Sequence, residues 1–321
     1  MTTTQDSIER SPNAALSGLF AAVTTPRLAS GAIDLATFDR HLELLLDADV
    51  DGICLGGATA EYPHLEVRER IDLLRHAARM LPRHKTLLVG IGASSIWRVL
   101  ELGAHAFEHG SRAVLVPMPM FFRYEQEDLY AYVAEVARTL QAPCLLYDLP
   151  DFASPLAPET AIALLEQEPH VRGIKDSSGR PDRLARFADA RGARGWTLLI
   201  GDDSKLADGL ALGWNGGVSG LASFCPELLV ALVRAATSGD ATRLAHVRAL
   251  ISELIAALAA FPVPWGIRIA LEARGLPTGP LPWPVSDERR AHAAKLKSWL
   301  PAWLERAEAA DWSRVSSSSQ G

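Results

Sequence analysis

Features that mark secreted, membrane-bound and nucleic-acid-binding proteins are scarce or missing in this chain. Its 321 residues include only three cysteines, Cys54, Cys144 and Cys225, which lie far apart in separate apolar segments and predict reduced thiols, not disulfides or a zinc site. Positive charge is not in excess, because 32 Lys and Arg oppose 38 Asp and Glu, and the net charge of −6 disfavours nucleic acid and anionic membranes as partners. No apolar run approaches the roughly 20 residues of a membrane span, and residues 1–13 lack the apolar stretch of a signal peptide. We therefore expect a globular, cytoplasmic protein with no nucleic-acid or membrane partner.

Sequence motifs of resident cofactors are missing as well. Residues 24–27 (Thr-Thr-Pro-Arg) follow the first apolar run, where a dinucleotide-binding sheet would carry a glycine-rich loop. The nine histidines are scattered without a His-x-His or His-Glu-x-x-His pattern, and we expect His64, His76, His105 and His109 on loop or helix surfaces. The sequence therefore predicts neither a metal nor a nucleotide cofactor.

Short apolar runs, each followed by a longer amphipathic stretch, recur eight times along the chain. Continuous hydrophobicity within a run indicates burial on both faces, as in a parallel sheet. Eight such strand–helix units predict a (β/α)₈ TIM barrel; an open doubly wound sheet is the alternative, but it would leave two edges and usually brings a phosphate-binding loop. The runs are residues 18–25, 52–57, 86–92, 112–119, 143–150, 171–178, 197–204 and 216–223.

Helical patterns continue beyond the last βα unit. We assign residues 14–238 to the catalytic barrel, residues 239–310 to a C-terminal helical extension, and residues 1–13 and 311–321 to flexible tails. The tryptophans of the extension are expected to form packing surface, not a ligand site: Trp265, Trp283, Trp299 and Trp303.

Reacting groups of such barrels lie at the carboxyl ends of the strands, and two candidates occupy these positions one βα unit apart. Lys175 lies near the end of the sixth run among apolar residues, where desolvation favours an uncharged amine that can form a Schiff base. The alternative is a lysine that snorkels to solvent or pairs with Asp176. Tyr147 ends the fifth run and can move protons beside such an amine, or it can be a core tyrosine bonded to backbone.

Two further segments can bind a substrate. Residues 56–59 (Gly-Gly-Ala-Thr) after the second run allow close backbone approach to a carboxylate, and Thr59 adds a hydroxyl, although the segment can also be a simple turn. Asp202 and Asp203 after the seventh run can accept hydrogen bonds from substrate hydroxyls or can cap the helix that begins near Lys205.

Together these segments resemble the dihydrodipicolinate synthase/N-acetylneuraminate lyase family of Schiff-base aldolases. The most specific is Gly-Ile-Lys-Asp-Ser-Ser-Gly at residues 173–179, joined by Tyr-Asp-Leu-Pro at 147–150 and Gly-Ala-Thr-Ala-Glu at 57–61. The resemblance implies that Lys175 forms the imine and Tyr147 acts as acid and base. It implies further that Ala58 and Thr59 bind the keto-acid carboxylate, with Thr59 in the proton relay. The expected substrates are a 2-oxo acid such as pyruvate and an aldehyde, with no cofactor, in a homo-oligomer (dimer or tetramer).

Departures from the family pattern bear on the substrate. Phe152 stands where dihydrodipicolinate synthases have an arginine that clamps the carboxylate of the aldehyde partner, and a phenyl ring cannot supply that contact. Ala58 and Phe121 replace two relay hydroxyls, and Asp203 matches a position that contacts a sugar hydroxyl in sialic-acid lyases. Val218 of the eighth run completes the predicted substrate-binding set. The chain thus looks closer to aldolases of 2-keto-3-deoxy sugar acids than to true dihydrodipicolinate synthases.

Two alternatives remain open at this point. The same imine can end in dehydration of a keto-deoxy sugar acid, since the branch of the family that does so has glycine at the position of Ala58. A non-catalytic member that only binds a keto acid is the second, because the hydroxyls at positions 58 and 121 are missing.

Overall fold

Eight parallel strands close into a barrel, in chain order, in the computed structural model, which describes residues 15–309. The first strand pairs with both the second and the last, so no sheet edge is left open. The strands are β1 (Gly18–Ala22), β2 (Gly52–Leu55), β3 (Thr86–Gly90), β4 (Ala113–Pro117), β5 (Cys144–Asp148), β6 (Val171–Asp176), β7 (Thr197–Ile200) and β8 (Gly216–Ser219). The predicted (β/α)₈ barrel is confirmed, and the open sheet is excluded.

Helices follow the strands and form the outer layer. Capping residues and prolines define several of their starts: the side chain of Asp34 accepts from the backbone N–H of Thr37 at the start of α1, and Pro158 and Pro181 occupy first turns. The helices are α1 (Leu35–Asp47), α2 (Val67–Met80), α3 (Ile96–Glu108), α4 (Gln126–Leu140), α5 (Pro158–Gln167), α6 (Pro181–Arg191), α7 (Leu206–Ala211), α8 (Pro226–Ser238), α9 (Ala241–Leu258), α10 (Trp265–Leu271) and α11 (Asp287–Ala309).

Side chains alternate along each strand between two buried layers. Leu145 and Tyr147 of β5 point into the barrel, where they pack with Leu199 and Val218, while Leu146 packs outward beneath the helices. Burial on both faces explains why the strands read as unbroken apolar runs.

The apolar runs of the sequence extend two to four residues past the strands at their carboxyl ends. These extra residues and the short 3₁₀ turns at Ala58–Ala60, Asp203–Lys205 and Leu221–Ser223 form the rim of the barrel. Strand pairing ends there, so the side chains of the rim are free to line a site.

The helices α9, α10 and α11 follow the barrel. Trp303 is fully buried, and its ring stacks between Phe224 and Trp299 at 6.0 and 5.7 Å, as expected of packing surface. Trp283 differs from that expectation, because 61% of it is exposed. A 3₁₀ turn at Glu272–Arg274 follows α10 directly. The predicted tails lie outside the described residues, in which no helix is long and apolar enough to cross a bilayer.

Candidate active site

A lysine and a tyrosine meet inside the carboxyl end of the barrel. Lys175 of β6 lies directly opposite Tyr147 of β5 in the strand register, and its Nζ donates to the phenolic oxygen at 2.9 Å. The amine also sits 4.0 Å from the centre of the ring, and both side chains are buried, with 5% and 2% exposed. Gly201 makes this room, since a Cβ there would stand 2.9 Å from Cε of Lys175. A snorkelling or Asp176-paired lysine is therefore excluded.

An arginine braces the two strands that carry this pair. Asp148 and Asp176, the next residues on β5 and β6, are buried partners on the outer face of the barrel. Arg183 of α6 donates to Asp148 at 2.5 Å, to Asp176 at 3.0 Å and to the carbonyl of Leu156 at 2.9 Å. Burial raises the pKa of Asp148 to about 6 despite the opposing effect of Arg183. Two carboxylates thus share one guanidinium directly behind the Lys175–Tyr147 contact.

The predicted carboxylate-binding segment is a tight turn at the rim. Its 3₁₀ helix, Ala58–Ala60, holds Thr59 buried, and the carbonyl of Ala60 accepts from the hydroxyl of Thr25 at 3.2 Å. Glu61 ends the turn in the left-handed region with φ 54°. The oxygen of the Thr59 side chain lies 3.4 Å from where a Cβ on Gly220 would be, so Thr59 approaches the end of β8.

An acidic side chain lies across the rim from that turn. Asp203 is half-buried, and its carboxylate accepts from the backbone N–H of Leu221 at 2.9 Å and from the hydroxyl of Ser219. Burial raises the pKa of Asp203 to about 6, while these hydrogen bonds and the charge of Lys175 oppose the rise. Capping of the following turn falls instead to Asp202, which accepts from the backbone of Ser204.

The remaining predicted residues divide into two groups. Val218 fills the barrel interior together with Tyr147, and Ala58 packs against the same cluster. Phe121 and Phe152 are not gathered there, because 91% and 57% of these residues are exposed. The structure therefore brings together the lysine, the tyrosine and the turn, and leaves both phenylalanines exposed to solvent.

Comparison with known proteins identifies the family. The model of the dihydrodipicolinate synthetase family matches residues 15–302. A 4-hydroxy-tetrahydrodipicolinate synthase from Azoarcus sp. (strain BH72) is 30% identical over 276 residues, which cover 84% of this chain and 92% of that protein. An uncharacterized DapA-like lyase from Halobacterium salinarum is 31% identical over 286 residues, 88% of this chain and 93% of its own length. The chain belongs to this family.

Solved structures agree with the family assignment. YagE, a prophage protein of the dihydrodipicolinic acid synthase family from E. coli K12 whose crystal structure contains pyruvate, superposes with a TM-score of 0.83 at 27% identity. The match covers 90% of this chain and 99% of that one. Members of the dihydrodipicolinate synthetase family are lyases, and the chain is a lyase of the class I aldolase type.

Several residues around the site had no role in the sequence-based prediction. Arg183 had a usable signal, because an arginine in the first turn of α6 lies close to acids at two strand ends. Arg268, which pairs with Glu61 at 2.6 Å, is 207 residues away and gave none. Tyr62 is buried beside the site, and burial followed by the charge of Tyr147 raises its pKa to about 12. A second phenol therefore lies within electrostatic reach of Tyr147.

One histidine lies close to the Ala58–Ala60 turn, where Nδ1 of His64 is 3.9 Å from a carboxylate oxygen of Glu61. Within residues 15–309, one group has ligand atoms close enough to hold a metal ion, namely His105, Glu108 and His109 at the end of α3, within 4.8 Å of one another. Barrel helices run away from the carboxyl ends of the strands, so this group lies at the opposite end from Lys175. Arg75 donates to Nε2 of His109 at 3.3 Å and takes up the lone pair that a metal would need.

Proposed function

We propose that the chain is a class I pyruvate-type aldolase that cleaves or forms a C–C bond in a 2-keto-3-deoxy sugar acid or a related 4-hydroxy-2-oxo acid. The observation that carries the proposal is the 2.9 Å contact between the buried amine of Lys175 and the hydroxyl of Tyr147. A buried amine beside a phenol has both the nucleophile and the proton carrier that Schiff-base chemistry needs.

The reaction begins at the carbonyl of the keto acid, whose carboxylate rests on the turn formed by Ala58 and Thr59. The lone pair of Nζ of Lys175 forms a bond to C2 while the C2–O π pair moves to oxygen. That oxygen receives one proton from the amine and one from Tyr147 and leaves as water, so the nitrogen keeps one proton and Tyr147 becomes the phenolate. The resulting protonated imine is the electron sink, so the proposed reaction requires no metal or nucleotide.

Cleavage follows from the same groups. The hydroxyl on C4 loses its proton to Tyr147, the C3–C4 electron pair moves toward the imine, and an aldehyde departs, leaving the enamine of pyruvate on Lys175. Protonation of C3 and hydrolysis of the imine release pyruvate and restore the amine. Asp203 is positioned to orient hydroxyls of the aldehyde portion, which suits a sugar-derived substrate.

The substrate class follows from charge at the rim. Some relatives are named 4-hydroxy-tetrahydrodipicolinate synthases, but Phe152 offers no cation to the carboxylate of an acidic aldehyde partner. We propose in addition a cytoplasmic homo-oligomer, with the exposed edge-to-face pair of Phe121 and Phe122 as apolar surface for a second copy.

Reductive trapping tests the proposal. Borohydride with pyruvate is expected to add the reduced three-carbon mass at Lys175, and Lys175→Ala is expected to lose the adduct entirely while remaining folded. Absence of the adduct with pyruvate and with longer keto acids would remove the aldolase mechanism. Release of pyruvate and an aldehyde from a sugar acid supports the aldolase, whereas loss of water with the carbon count intact indicates the dehydratase.

A further inference from the structure

The C-terminal extension reaches the turn that we propose binds the keto-acid carboxylate. Arg268 of α10 is almost fully buried, with 2% exposed, and its guanidinium donates to Glu61 at 2.6 Å. Glu61 immediately follows the Ala58–Ala60 turn and adopts a left-handed backbone conformation there. A residue of the extension therefore forms a buried ion pair at the end of the turn that carries Thr59.

The same guanidinium ties the turn to a second loop of the extension. Arg268 donates to the carbonyls of Thr278 and Pro280, each at 2.8 Å, and to the hydroxyl of Thr278 at 3.3 Å. The carbonyl of Thr278 also accepts from the backbone of Arg27, beyond β1. Arg268 thus lies at the centre of a buried network that joins the loops after β1 and β2 to the extension.

A neighbouring residue on α10 also lies at the rim. The Cδ1 of Ile267 and the Oγ1 of Thr59 are each 3.4 Å from the point where a Cβ on Gly220 would stand. Helix α10 therefore reaches the turn through Arg268, and Ile267 and Thr59 both lie close to the same point at Gly220.

We infer that Arg268 and Glu61 are positioning residues that hold the Ala58–Ala60 turn in the geometry that binds the substrate carboxylate. The inference rests on the proposed function. The charges of Arg268 and Glu61 offset one another, so their effect on the substrate is through placement of the turn and not through their field. A misplaced turn weakens binding of the carboxylate but leaves the Lys175–Tyr147 pair intact.

The decisive variant is the double substitution Glu61→Gln with Arg268→Met. Removal of Arg268 alone leaves a buried carboxylate unpaired, and such proteins often unfold, whereas removal of both charges is frequently tolerated. Arg268→Lys is the second variant, because it keeps the charge but loses the forked grip on Glu61 and Thr278. Arg306→Met is the matched control, since its exposed pair with Glu253 joins α11 to α9, two helices of the extension.

The readout is the dependence of borohydride trapping on pyruvate concentration, measured beside thermal unfolding. In the folded double variant we expect the half-saturating pyruvate concentration to rise about tenfold, with the trapping rate at saturation unchanged. Arg268→Lys should give a smaller rise and Arg306→Met none. Wild-type half-saturation in both Arg268 variants would show that the ion pair only stabilises the fold and would overturn the inference. Failure of the wild-type protein to trap pyruvate would instead refute the proposed function, and the inference with it.

Discussion

The two halves of the barrel mouth are held in place by different means. Behind the Lys175–Tyr147 pair, one arginine binds two carboxylates, and Arg183 is only seven residues beyond Asp176. At the Ala58–Ala60 turn, Arg268 binds the single carboxylate of Glu61 from 207 residues away. The imine half is therefore organised within consecutive βα units, whereas the turn depends on the extension that folds back onto the barrel.

The Arg183 cluster and the Arg268–Glu61 pair differ in net charge, and this difference affects the unfolding free energy that is lost when either arginine is removed. The Arg183 cluster carries more negative than positive charge. Burial raises the pKa of Asp148 to about 6, Arg183 opposes the rise, and the charge of Asp176 adds to it. A buried charge that loses its partner is costly, and the loss is greater where two carboxylates remain than where one does. The imine half should therefore be the more sensitive to loss of its arginine.

The largest effect is expected for Arg183→Met. Asp148 and Asp176 would repel one another across neighbouring strands, so we expect a loss of about 3–5 kcal/mol in unfolding free energy. Because these strands carry Lys175 and Tyr147, the rate of trapping at saturating pyruvate should fall about 100-fold. Urea unfolding and borohydride trapping measure the two effects.

Two companion variants sharpen this result. Arg186→Met, on the same helix, removes an exposed pair with Glu159 and should change unfolding free energy by less than about 1 kcal/mol. Asp148→Asn in the Arg183→Met protein removes one of the repelling charges and should recover part of the stability. A change in half-saturating pyruvate with no change in rate would contradict the division between the two halves.

The same division explains what could be predicted from the sequence. The eight strands and the positions of Lys175, Tyr147 and Thr59 follow from local patterns: an apolar run, its carboxyl end, and one βα unit of spacing. The position of Arg183 could have been predicted in the same way, because it lies in the first turn of the helix that follows Lys175. Arg268 was not, since no periodicity indicates which turn a buried arginine of the extension will meet. The exposure of Phe121 and Phe152 also depends on loop conformation, which residue type does not determine.

The next-largest effect is expected for His41, a buried histidine that burial holds in the neutral form. His41 is fully buried and connects the segments that follow β1 and β8, the two strands that close the barrel. Its Nδ1 lies 3.2 Å from the hydroxyl oxygen of Thr24, and its Nε2 donates to the carbonyl of Ser223 at 2.7 Å. Burial lowers the pKa of His41 from 6.5 to about 4. Below pH 6.5 the unfolded chain therefore binds a proton at His41, whereas the folded protein binds this proton only at about pH 4 and below.

Stability should accordingly be lost as the pH falls through this window, by up to about 3 kcal/mol from His41. We expect the stability advantage of the wild-type protein over His41→Asn to shrink by about that amount between pH 7 and pH 4. Urea unfolding of both proteins across the range measures it. The raised pKa values of Asp148 and Asp203 change stability in the opposite direction over this pH range. Because both proteins contain these residues, the effect cancels when their unfolding free energies are compared. An advantage independent of pH would show that His41 is not held neutral.

The smallest effect is expected for Thr59→Val, which keeps the shape of the side chain and removes one hydroxyl. If that hydroxyl donates to the keto-acid carboxylate, half-saturating pyruvate in the trapping assay should rise about tenfold, the loss of roughly one hydrogen bond to a charged group. Thr25→Val is the graded comparison, because its hydroxyl supports the turn only through the carbonyl of Ala60. It should raise half-saturation less than Thr59→Val does. If the hydroxyl of Thr59 only binds the carboxylate, the rate at saturation should be nearly unchanged in both variants. A Thr59→Val protein that loses trapping rate instead would place this hydroxyl in proton transfer, and the two halves of the mouth would then share one chemical task.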